Sequence, residues 1–212
     1  MRFYTIKTPK IIKLLFPRLL WKVKTEEKVV YLTFDDGPTP NVTTFVLKQL
    51  KKYNAKATFF CIGKNAKEHP EILKEILAQG HTIGNHTYNH FNCAKQGVDD
   101  YLKNVEKADK TFQRLIPHLN TKLFRPPYGR ISLRASRELR NKNYKIIMWD
   151  VLSADFDTNI SAEKCIENVV TNVKAGSIVV FHDSVKSFPI LQKALPVILK
   201  DLNRQNFILK SI

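Results

Sequence analysis

The sequence is poor in cysteine, glycine and acidic side chains, and it contains no internal repeat and no long hydrophobic run. Three cysteines, Cys61, Cys93 and Cys165, form no CxxC pair, so neither a disulfide framework nor a zinc knuckle is expected. Seven glycines and ten prolines among 212 residues exclude a collagen-like or low-complexity chain. With 43% hydrophobic and 25% charged residues, the composition is that of a globular domain with a buried core.

Positive charge is in large excess. The 35 Lys and Arg residues against 19 Asp and Glu residues give a formal net charge of +16, which favours encounter with anionic partners. The basic residues do not alternate with aromatic residues as they do in a nucleic-acid groove, so no nucleic-acid partner is expected. A solvated cationic surface is the main interpretation, and a non-catalytic binder of an anionic polymer is the alternative.

A basic segment precedes the regular part of the sequence. Its longest unbroken apolar run, Leu14-Leu15-Phe16, is too short for a signal-peptide core or a membrane span. We expect residues 1–27 to form a structural strap that packs on the domain through Phe16, Leu19 and Trp21. A weak peripheral contact with an anionic membrane or glycan is the alternative for this basic segment. Because an export signal is lacking and the cysteines are unpaired, a cytoplasmic location is expected.

Short apolar runs alternate with helical patterns over residues 28–212. The predicted strands cover residues 29–34, 57–62, 81–84, 122–125, 145–149, 177–181 and 207–210. The predicted helices comprise one that opens at Thr39-Pro40 and others over 70–79, 98–115, 132–141, 161–173 and 188–205, the last kinked or interrupted at Pro196. Several strands are rich in β-branched or aromatic residues and do not alternate with polar ones, as in strands buried on both faces. The alternation predicts one domain with a parallel sheet covered by helices, either doubly wound or closed into a barrel.

Polar segments follow the predicted strands. In both architectures, functional residues belong at the carboxyl ends of the strands. The segments at these ends are residues 35–38 (DDGP), 84–90 (GNHTYNH), 125–129 (RPPYG), 150–155 (DVLSAD) and 182–183 (HD). They bring three of the six histidines and several carboxylates to one predicted rim, which indicates a functional site there.

Two histidines and one aspartate on this rim suit a metal ion. His86 and His90 are four residues apart and can point the same way from one helical turn. Because successive residues at a strand end point in different directions, one of Asp35 and Asp36 would be a ligand and the other a general base. A simple turn is the alternative for this Asp-Asp pair. A facial triad of a non-haem iron oxygenase is the alternative for the His-His-Asp set.

Five segments, in this order, resemble the motifs of the polysaccharide deacetylases of carbohydrate esterase family 4, which contain the NodB homology domain. The segments are TFDDGP (33–38), HTYNH (86–90), RPPYG (125–129), SADF (153–156) and VFHD (180–183). The resemblance implies a single-domain α/β fold, a distorted (β/α) barrel of about seven parallel strands surrounded by helices. It also implies a hydrolase that removes N-acetyl groups from amino-sugar glycans, such as chitin oligosaccharides or peptidoglycan, with a divalent metal, commonly Zn²⁺.

The resemblance assigns roles residue by residue. The positions that match the metal ligands are Asp36, His86 and His90. Asp35 matches the catalytic base, and His182 matches the catalytic acid. In this scheme a metal-bound water attacks the acetyl carbonyl, Asp35 takes its proton, and His182 protonates the leaving amine.

Three further positions match supporting residues of the family. Arg125 matches the arginine that holds the base, and Asp155 matches the aspartate that orients the acid. Tyr128 matches the residue whose backbone N–H faces the oxyanion. Each pairing is chemically reasonable, because an arginine keeps a carboxylate ionised and a carboxylate favours a charged imidazole.

The sequence departs from the family pattern around the substrate pocket. Leu152 stands where the family has an aspartate, Phe156 replaces a tryptophan, and Val180 replaces a leucine. We expect Phe156 and Val180 to form an apolar wall for the acetyl methyl group. Because these changes affect the pocket, a hydrolase of the same fold that cleaves a C–N bond in a small non-sugar amide is the alternative function.

Overall fold

A curled parallel β-sheet lies at the centre of the computed structural model, which describes residues 4–93, 97–119 and 121–212. Its strands are β1 (Val29–Asp35), β2 (Ala57–Cys61), β3 (Thr82–Asn85), β4 (Leu123–Phe124), β5 (Lys145–Ile146), β6 (Val151–Leu152), β7 (Ile178–His182) and β8 (Ile208–Leu209). The strand order is β5-β4-β3-β2-β1-β7-β6, all parallel, and β8 pairs with the start of β1. The prediction of a single-domain distorted barrel with about seven parallel strands is confirmed.

Helices cover the sheet. They are α1 (Lys10–Leu15), α2 (Val42–Lys52), α3 (Gly63–Glu68), α4 (Pro70–Ala78), α5 (Val98–Leu115), α6 (Leu133–Asn141), α7 (Ala162–Val170) and α8 (Phe188–Arg204). The N-cap residues Ser132 and Ser161 accept hydrogen bonds from the backbone N–H groups of Ala135 and Lys164. No helix within the described residues is both long and apolar enough to span a lipid bilayer.

The central strands are apolar because both of their faces are covered. The aromatic rings of Phe34 and Phe59 stack at a centroid distance of 5.2 Å, and those of Phe34 and Phe181 at 5.5 Å. All three side chains are at most 1% exposed. Burial of this extent stabilises β1, β2 and β7 against one another, so their carboxyl ends form a fixed platform.

Several predicted boundaries are wrong. Helix α2 begins at Val42 rather than at Thr39-Pro40, because Asn41 adopts a left-handed conformation with φ +66°. Helix α3 was not predicted, and α8 runs through Pro196 as one continuous element. The predicted strand 145–149 is only two residues long, and the pair Val151–Leu152 was missed.

The basic N-terminal segment contacts the domain along the open side of the sheet. Leu20 pairs with Ile147 just beyond β5, and Lys7 pairs with Val151 in β6. Leu19 and Trp21 pack against a buried cluster, whereas Phe16 is 43% exposed. The expected packing of Phe16 is therefore wrong.

The buried carboxylate of Asp150 attaches the N-terminal segment to the domain through ion pairs. Lys7 Nζ lies 2.6 Å from Asp150 Oδ2, and Lys13 forms a second ion pair with the other carboxylate oxygen. Ser177 Oγ donates a further hydrogen bond of 2.6 Å to Asp150 Oδ2. These pairings lower the pKa of Asp150 even though burial alone would raise it.

Candidate active site

The first segment of the site is the turn that follows β1. Strand pairing places Asp35 opposite His182 of β7, so both side chains stand at the same edge of the sheet. Asp36 follows in a left-handed conformation with φ +80°, which directs it away from Asp35. The two aspartates are therefore positioned for different roles.

The side chain of Asp183 supports this turn through two hydrogen bonds. The N–H of Gly37 donates to Asp183 Oδ1 at 3.1 Å, and the hydroxyl of Thr43 in α2 donates to Oδ2. A β-carbon on Gly37 would lie 2.0 Å from Asp183 Oδ2, so only glycine fits. Burial raises the pKa of Asp183 well above its ordinary value. Asp183 thus connects the turn after β1 with helix α2.

The second segment is the loop that follows β3. His86 and His90 do not share a helical turn, contrary to the prediction, since Thr87 and His90 have φ values of +66° and +57°. The side-chain oxygen of Asn104 in α5 accepts the N–H of Tyr88 at 2.8 Å. This anchor helps to fix the loop that turns both imidazoles toward Asp36.

Asp36, His86 and His90 form the one group of potential metal ligands found among the described residues, with ligand atoms within 4.8 Å of one another. Asp36 Oδ1 lies 3.3 Å from His90 Nε2 and 3.7 Å from His86 Nε2. Within the described part of the chain, Asp36 Oδ1 is buried without a hydrogen-bond partner. A buried carboxylate oxygen that faces two imidazole nitrogens is the arrangement expected of a cation site.

The protonation state of His86 is also the one that a metal ligand needs. Its Nδ1–H donates to the carbonyl of Arg125 at 2.8 Å, which leaves the Nε2 lone pair toward Asp36. Burial and the nearby His90 lower the pKa of His86 to about 3, so the ring is neutral at physiological pH. Neutral imidazole is the form that binds metal ions.

Asp35 is paired with a completely buried arginine. Arg125 Nη1 donates to Asp35 Oδ1 at 2.7 Å and to the hydroxyl of Thr33 at 2.6 Å. The remaining guanidinium donors reach the carbonyls of Ile147 (3.2 Å) and Met148 (3.0 Å). Because the arginine is held on several sides, it fixes the direction of the Asp35 carboxylate. The ion pair of Arg125 is therefore internal and not a surface salt bridge.

His182 is paired with Asp155. The Nδ1–H of His182 donates to Asp155 Oδ1 at 2.8 Å, and its backbone N–H donates to Oδ2 at 2.8 Å. Burial alone would lower the pKa of His182, but the charge and hydrogen bond of Asp155 outweigh it and raise the pKa to about 9. The imidazole is therefore protonated at neutral pH.

A cleft of about 660 Å³ is lined by Asp35, Asp36, His86, His90 and His182. Phe156 and Val180 are in its lining, as predicted, and the ring of Phe156 meets that of His182 edge-on at 5.1 Å. Leu152 also lines the cleft. The lining residues that sequence reasoning missed are Tyr4, Pro126, Gly129, Arg130, Trp149, Ser184 and Lys186.

Tyr4 reaches the cleft from the N-terminal segment. Its ring packs on Phe156 at 5.6 Å, and its hydroxyl donates to Asp157 Oδ2 at 2.7 Å. Burial and the hydrogen bond to Asp157 raise the pKa of Tyr4 to about 12. No sequence pattern connects Tyr4 with the motifs, because the contact arises only from the path of the segment along β6.

Tyr128 stands at the mouth of the cleft. It has φ +60° and is 60% exposed, and its hydroxyl lies 3.1 Å from His90 Nδ1. In sequence, Tyr128 directly follows Arg125 and the rigid Pro126-Pro127 pair. The side-chain contact with His90 was not predicted.

Comparison with known proteins points to one family. Residues 22–147 match the model of a family described as polysaccharide deacetylase. A peptidoglycan-N-acetylglucosamine deacetylase of Bacillus cereus is 40% identical over 155 residues, which are 73% of this chain and 56% of that protein. A chitooligosaccharide deacetylase of Azorhizobium caulinodans is 32% identical over 162 residues, 76% of this chain and 77% of that protein.

A solved structure is also similar over nearly the whole chain. The Bc1960 peptidoglycan N-acetylglucosamine deacetylase, in complex with 4-naphthalen-1-yl-N-oxidanyl-benzamide, has a TM-score of 0.88 and 32% sequence identity. The match covers 97% of this chain and 95% of the other. This chain spans little more than half of the length of the Bacillus cereus relative above.

Proposed function

The chain belongs to the polysaccharide deacetylase family, and from this premise and the geometry of the cleft we propose that it hydrolyses the N-acetyl groups of amino-sugar glycans. Chitin oligosaccharides and the N-acetylglucosamine units of peptidoglycan are the proposed substrates, since relatives bear the names of deacetylases for both. The observation that carries the proposal is the convergence of Asp36, His86 and His90 beside two titratable pairs, Asp35–Arg125 and Asp155–His182.

Asp36, His86 and His90 would hold a divalent cation, most simply Zn²⁺. Two imidazole nitrogens and one carboxylate oxygen are a donor set that Zn²⁺ accepts, and a three-residue set leaves coordination positions open. When bound, such an ion acts as a Lewis acid that acidifies a water molecule and polarises the acetyl carbonyl. The unpartnered oxygen of Asp36 and the neutral His86 support this assignment.

Asp35 would act as the general base. Its carboxylate stands at the same edge of the sheet as the ligands and is 3% exposed, so a bulk water molecule does not compete freely for it. Arg125 pairs with the carboxylate and holds Oδ1, which leaves Oδ2 to take the proton of the attacking water. General-base catalysis of this kind contributes about 10²–10⁴-fold to a rate.

His182 would act as the general acid. Its Nδ1–H is engaged by Asp155, so the proton at Nε2 is the one that can move to the departing amine. The raised pKa of about 9 keeps this proton in place at neutral pH. An amine leaves from the tetrahedral intermediate only when protonated, so this step completes the hydrolysis.

The cleft walls would orient the acetyl group. The backbone N–H of Tyr128 is proposed to donate to the oxyanion, a contribution that is often worth about 3 kcal/mol in other hydrolases. Phe156 and Val180 are proposed to enclose the methyl group, and Leu152 extends the same apolar wall. An apolar wall favours an acetyl group over a larger polar acyl group.

Acetate release tests the proposed function. The protein is incubated with chitin oligomers and with peptidoglycan fragments, before and after treatment with a chelator and after addition of Zn²⁺. We expect acetate from at least one of these glycans, loss of release after chelation, and recovery with the metal. Release that persists at full rate after complete removal of metal would contradict the metal assignment. A protein that releases no acetate from either glycan but hydrolyses a small non-sugar amide would favour the alternative function.

A further inference from the structure

The N-terminal segment exposes a patch of large hydrophobic side chains. Nine such side chains are exposed among the described residues, and five of them belong to two neighbouring helical segments: Ile11, Leu14, Leu15, Phe16 and Leu133. Their exposures range from 43% for Phe16 to 77% for Leu133. We call these five residues the apolar patch. Scattered exposed hydrophobic residues are ordinary, but a contiguous set of this kind marks an interaction surface.

Helix α1 is turned outward in this patch. Ile11, Leu14 and Leu15 have the i, i+3, i+4 spacing of one helix face, and no residue of α1 is buried. Lys13 faces the protein instead, where it forms an ion pair with buried Asp150. The helix therefore presents its hydrophobic face to the solvent and uses a charged side chain for attachment, the reverse of the usual arrangement.

The patch is held in place rather than loosely attached. Leu19 and Trp21, which follow it, pack against a buried cluster of the domain, and Trp21 Nε1 donates to the carbonyl of Phe16 at 3.1 Å. Leu20 continues the attachment through its backbone pairing with Ile147. A fixed patch contributes binding energy without a large ordering cost.

Positive charge surrounds the patch. A groove of about 490 Å³ runs between the segment after α1 and helix α6, and its lining includes no acidic residue. Arg18, Arg137 and Arg140 line this groove. Arg18 and Arg137 are exposed and form no ion pair with any residue that the structure describes. Unpaired guanidinium groups beside exposed leucines suit a partner that is anionic at its surface and apolar just beneath.

We propose that the apolar patch and its arginines dock the protein peripherally on an anionic phospholipid bilayer. The hydrophobic side chains enter the boundary between head groups and acyl chains, and Arg18 and Arg137 contact lipid phosphates. Gly129 lines both this groove and the catalytic cleft, so docking holds the cleft beside the lipid surface.

The positive charge around the apolar patch favours an anionic bilayer over other partners. A symmetric pair of chains joined through the patch would bring the same arginines together, and each chain already carries +16. A neutral glycan needs polar partners and aromatic platforms, whereas the patch offers mainly aliphatic side chains. An anionic bilayer satisfies both the guanidinium groups and the leucines.

Vesicle co-sedimentation tests the proposal with the full chain. We expect binding to vesicles of phosphatidylglycerol and phosphatidylcholine, little binding to phosphatidylcholine alone, and weaker binding at high salt. Leu14→Ser together with Leu15→Ser should reduce the partition coefficient at least tenfold, because both side chains are exposed and would lose their insertion. Arg18→Gln together with Arg137→Gln should reduce it about 25-fold, since each basic residue contributes roughly fivefold near an anionic surface.

Matched variants on a distant surface serve as controls. Val197→Ser removes an exposed hydrophobic side chain of α8, and Lys193→Gln together with Lys200→Gln removes two exposed charges there. Both should bind vesicles within twofold of the unmodified protein. Absence of binding to anionic vesicles would overturn the proposal, and so would leucine variants that bind normally, since nonspecific attraction by +16 would then suffice. A lipid-free dimer that Leu14→Ser/Leu15→Ser dissociates would assign the patch to a second copy of the chain instead.

Discussion

Replacing Asp155 by Asn should change the pH dependence of the reaction more than the architecture of the site. Asn is nearly the same size as Asp, and its single amide oxygen can accept one of the two His182 N–H groups that the carboxylate of Asp155 accepts. The substitution removes the negative charge that lies 2.8 Å from His182 Nδ1. Burial, which lowers the pKa of His182, is then opposed only by the more distant Asp35 and Asp36.

The size of the effect follows from the pKa. With a pKa of about 9, roughly 97% of His182 is protonated at pH 7.5. If the pKa falls to its ordinary 6.5 or lower, about a tenth or less is protonated at that pH. The fraction of enzyme in which His182 is protonated therefore falls about tenfold. The alkaline limb of the rate profile, which we expect near pH 9 in the unmodified protein, should move below neutral pH because the charged form is lost as pH rises.

The assay is acetate release from a chitin oligomer, with kcat/KM measured from pH 5 to pH 10. Asp99→Asn is the control, because Asp99 forms only an exposed ion pair with Arg134 and its loss should leave the profile unchanged. At pH 5 the Asp155→Asn variant should recover much of its deficit, since His182 is again largely protonated there. A variant whose alkaline limb stays near pH 9, with the deficit equal at every pH, would refute the assignment of His182 as an acid tuned by Asp155.

Two further substitutions test the supporting residues. Arg125→Leu leaves Asp35 buried without its cation, so we expect the free energy of unfolding to fall by about 3–5 kcal/mol. Urea denaturation measures this loss, with the exposed Arg134→Leu as the control. Equal stability of the two variants would contradict a buried ion pair. Tyr4→Ala removes an aromatic wall of the cleft, so KM for a chitin oligomer should rise about fivefold while kcat changes little. Tyr4→Phe keeps the ring and should retain a near-normal KM. An unchanged KM for Tyr4→Ala would place Tyr4 outside the substrate path.

The sequence predicted the sheet because its strands are buried on both faces. Runs without polar alternation such as 29–34 and 177–181 have no exposed face, which is typical of parallel strands covered by helices. Once the strands are parallel, their carboxyl ends lie at one edge, so Asp35 and His182 could be placed on the same rim from the sequence, whereas their direct pairing across β1 and β7 comes from the structure. The ordered motifs then identified the family, which the comparisons confirm.

Local backbone conformation was harder to predict. The spacing of His86 and His90 suggested a helical turn, but both lie on a loop that is fixed by contacts with α5 and by residues with positive φ. The strand predicted over 145–149 ends at Ile146, and just beyond it Ile147 forms a bridge with Leu20 of the N-terminal segment while its N–H still donates to Phe124 of β4. These outcomes depend on contacts between distant parts of the chain, which single-sequence periodicity does not record.

The N-terminal segment was the least predictable part of the site. Its basic composition suggested attachment, but nothing in its pattern indicated that Tyr4 would reach Phe156 or that α1 would turn its leucines outward. Both features follow from the ion pairs that Lys7 and Lys13 make with Asp150. A residue's contribution to a site can thus depend on an anchor many positions away in sequence.

Turnover by Asp35→Asn, loaded with one equivalent of Zn²⁺, measures most directly whether Asp35 is the base beside a separate metal site. The variant should retain stoichiometric zinc, because the ligands Asp36, His86 and His90 are unchanged, while acetate release from chitin oligomers falls by about 10²–10⁴-fold. Acetate release close to that of the unmodified protein, at the same zinc content, would contradict the account.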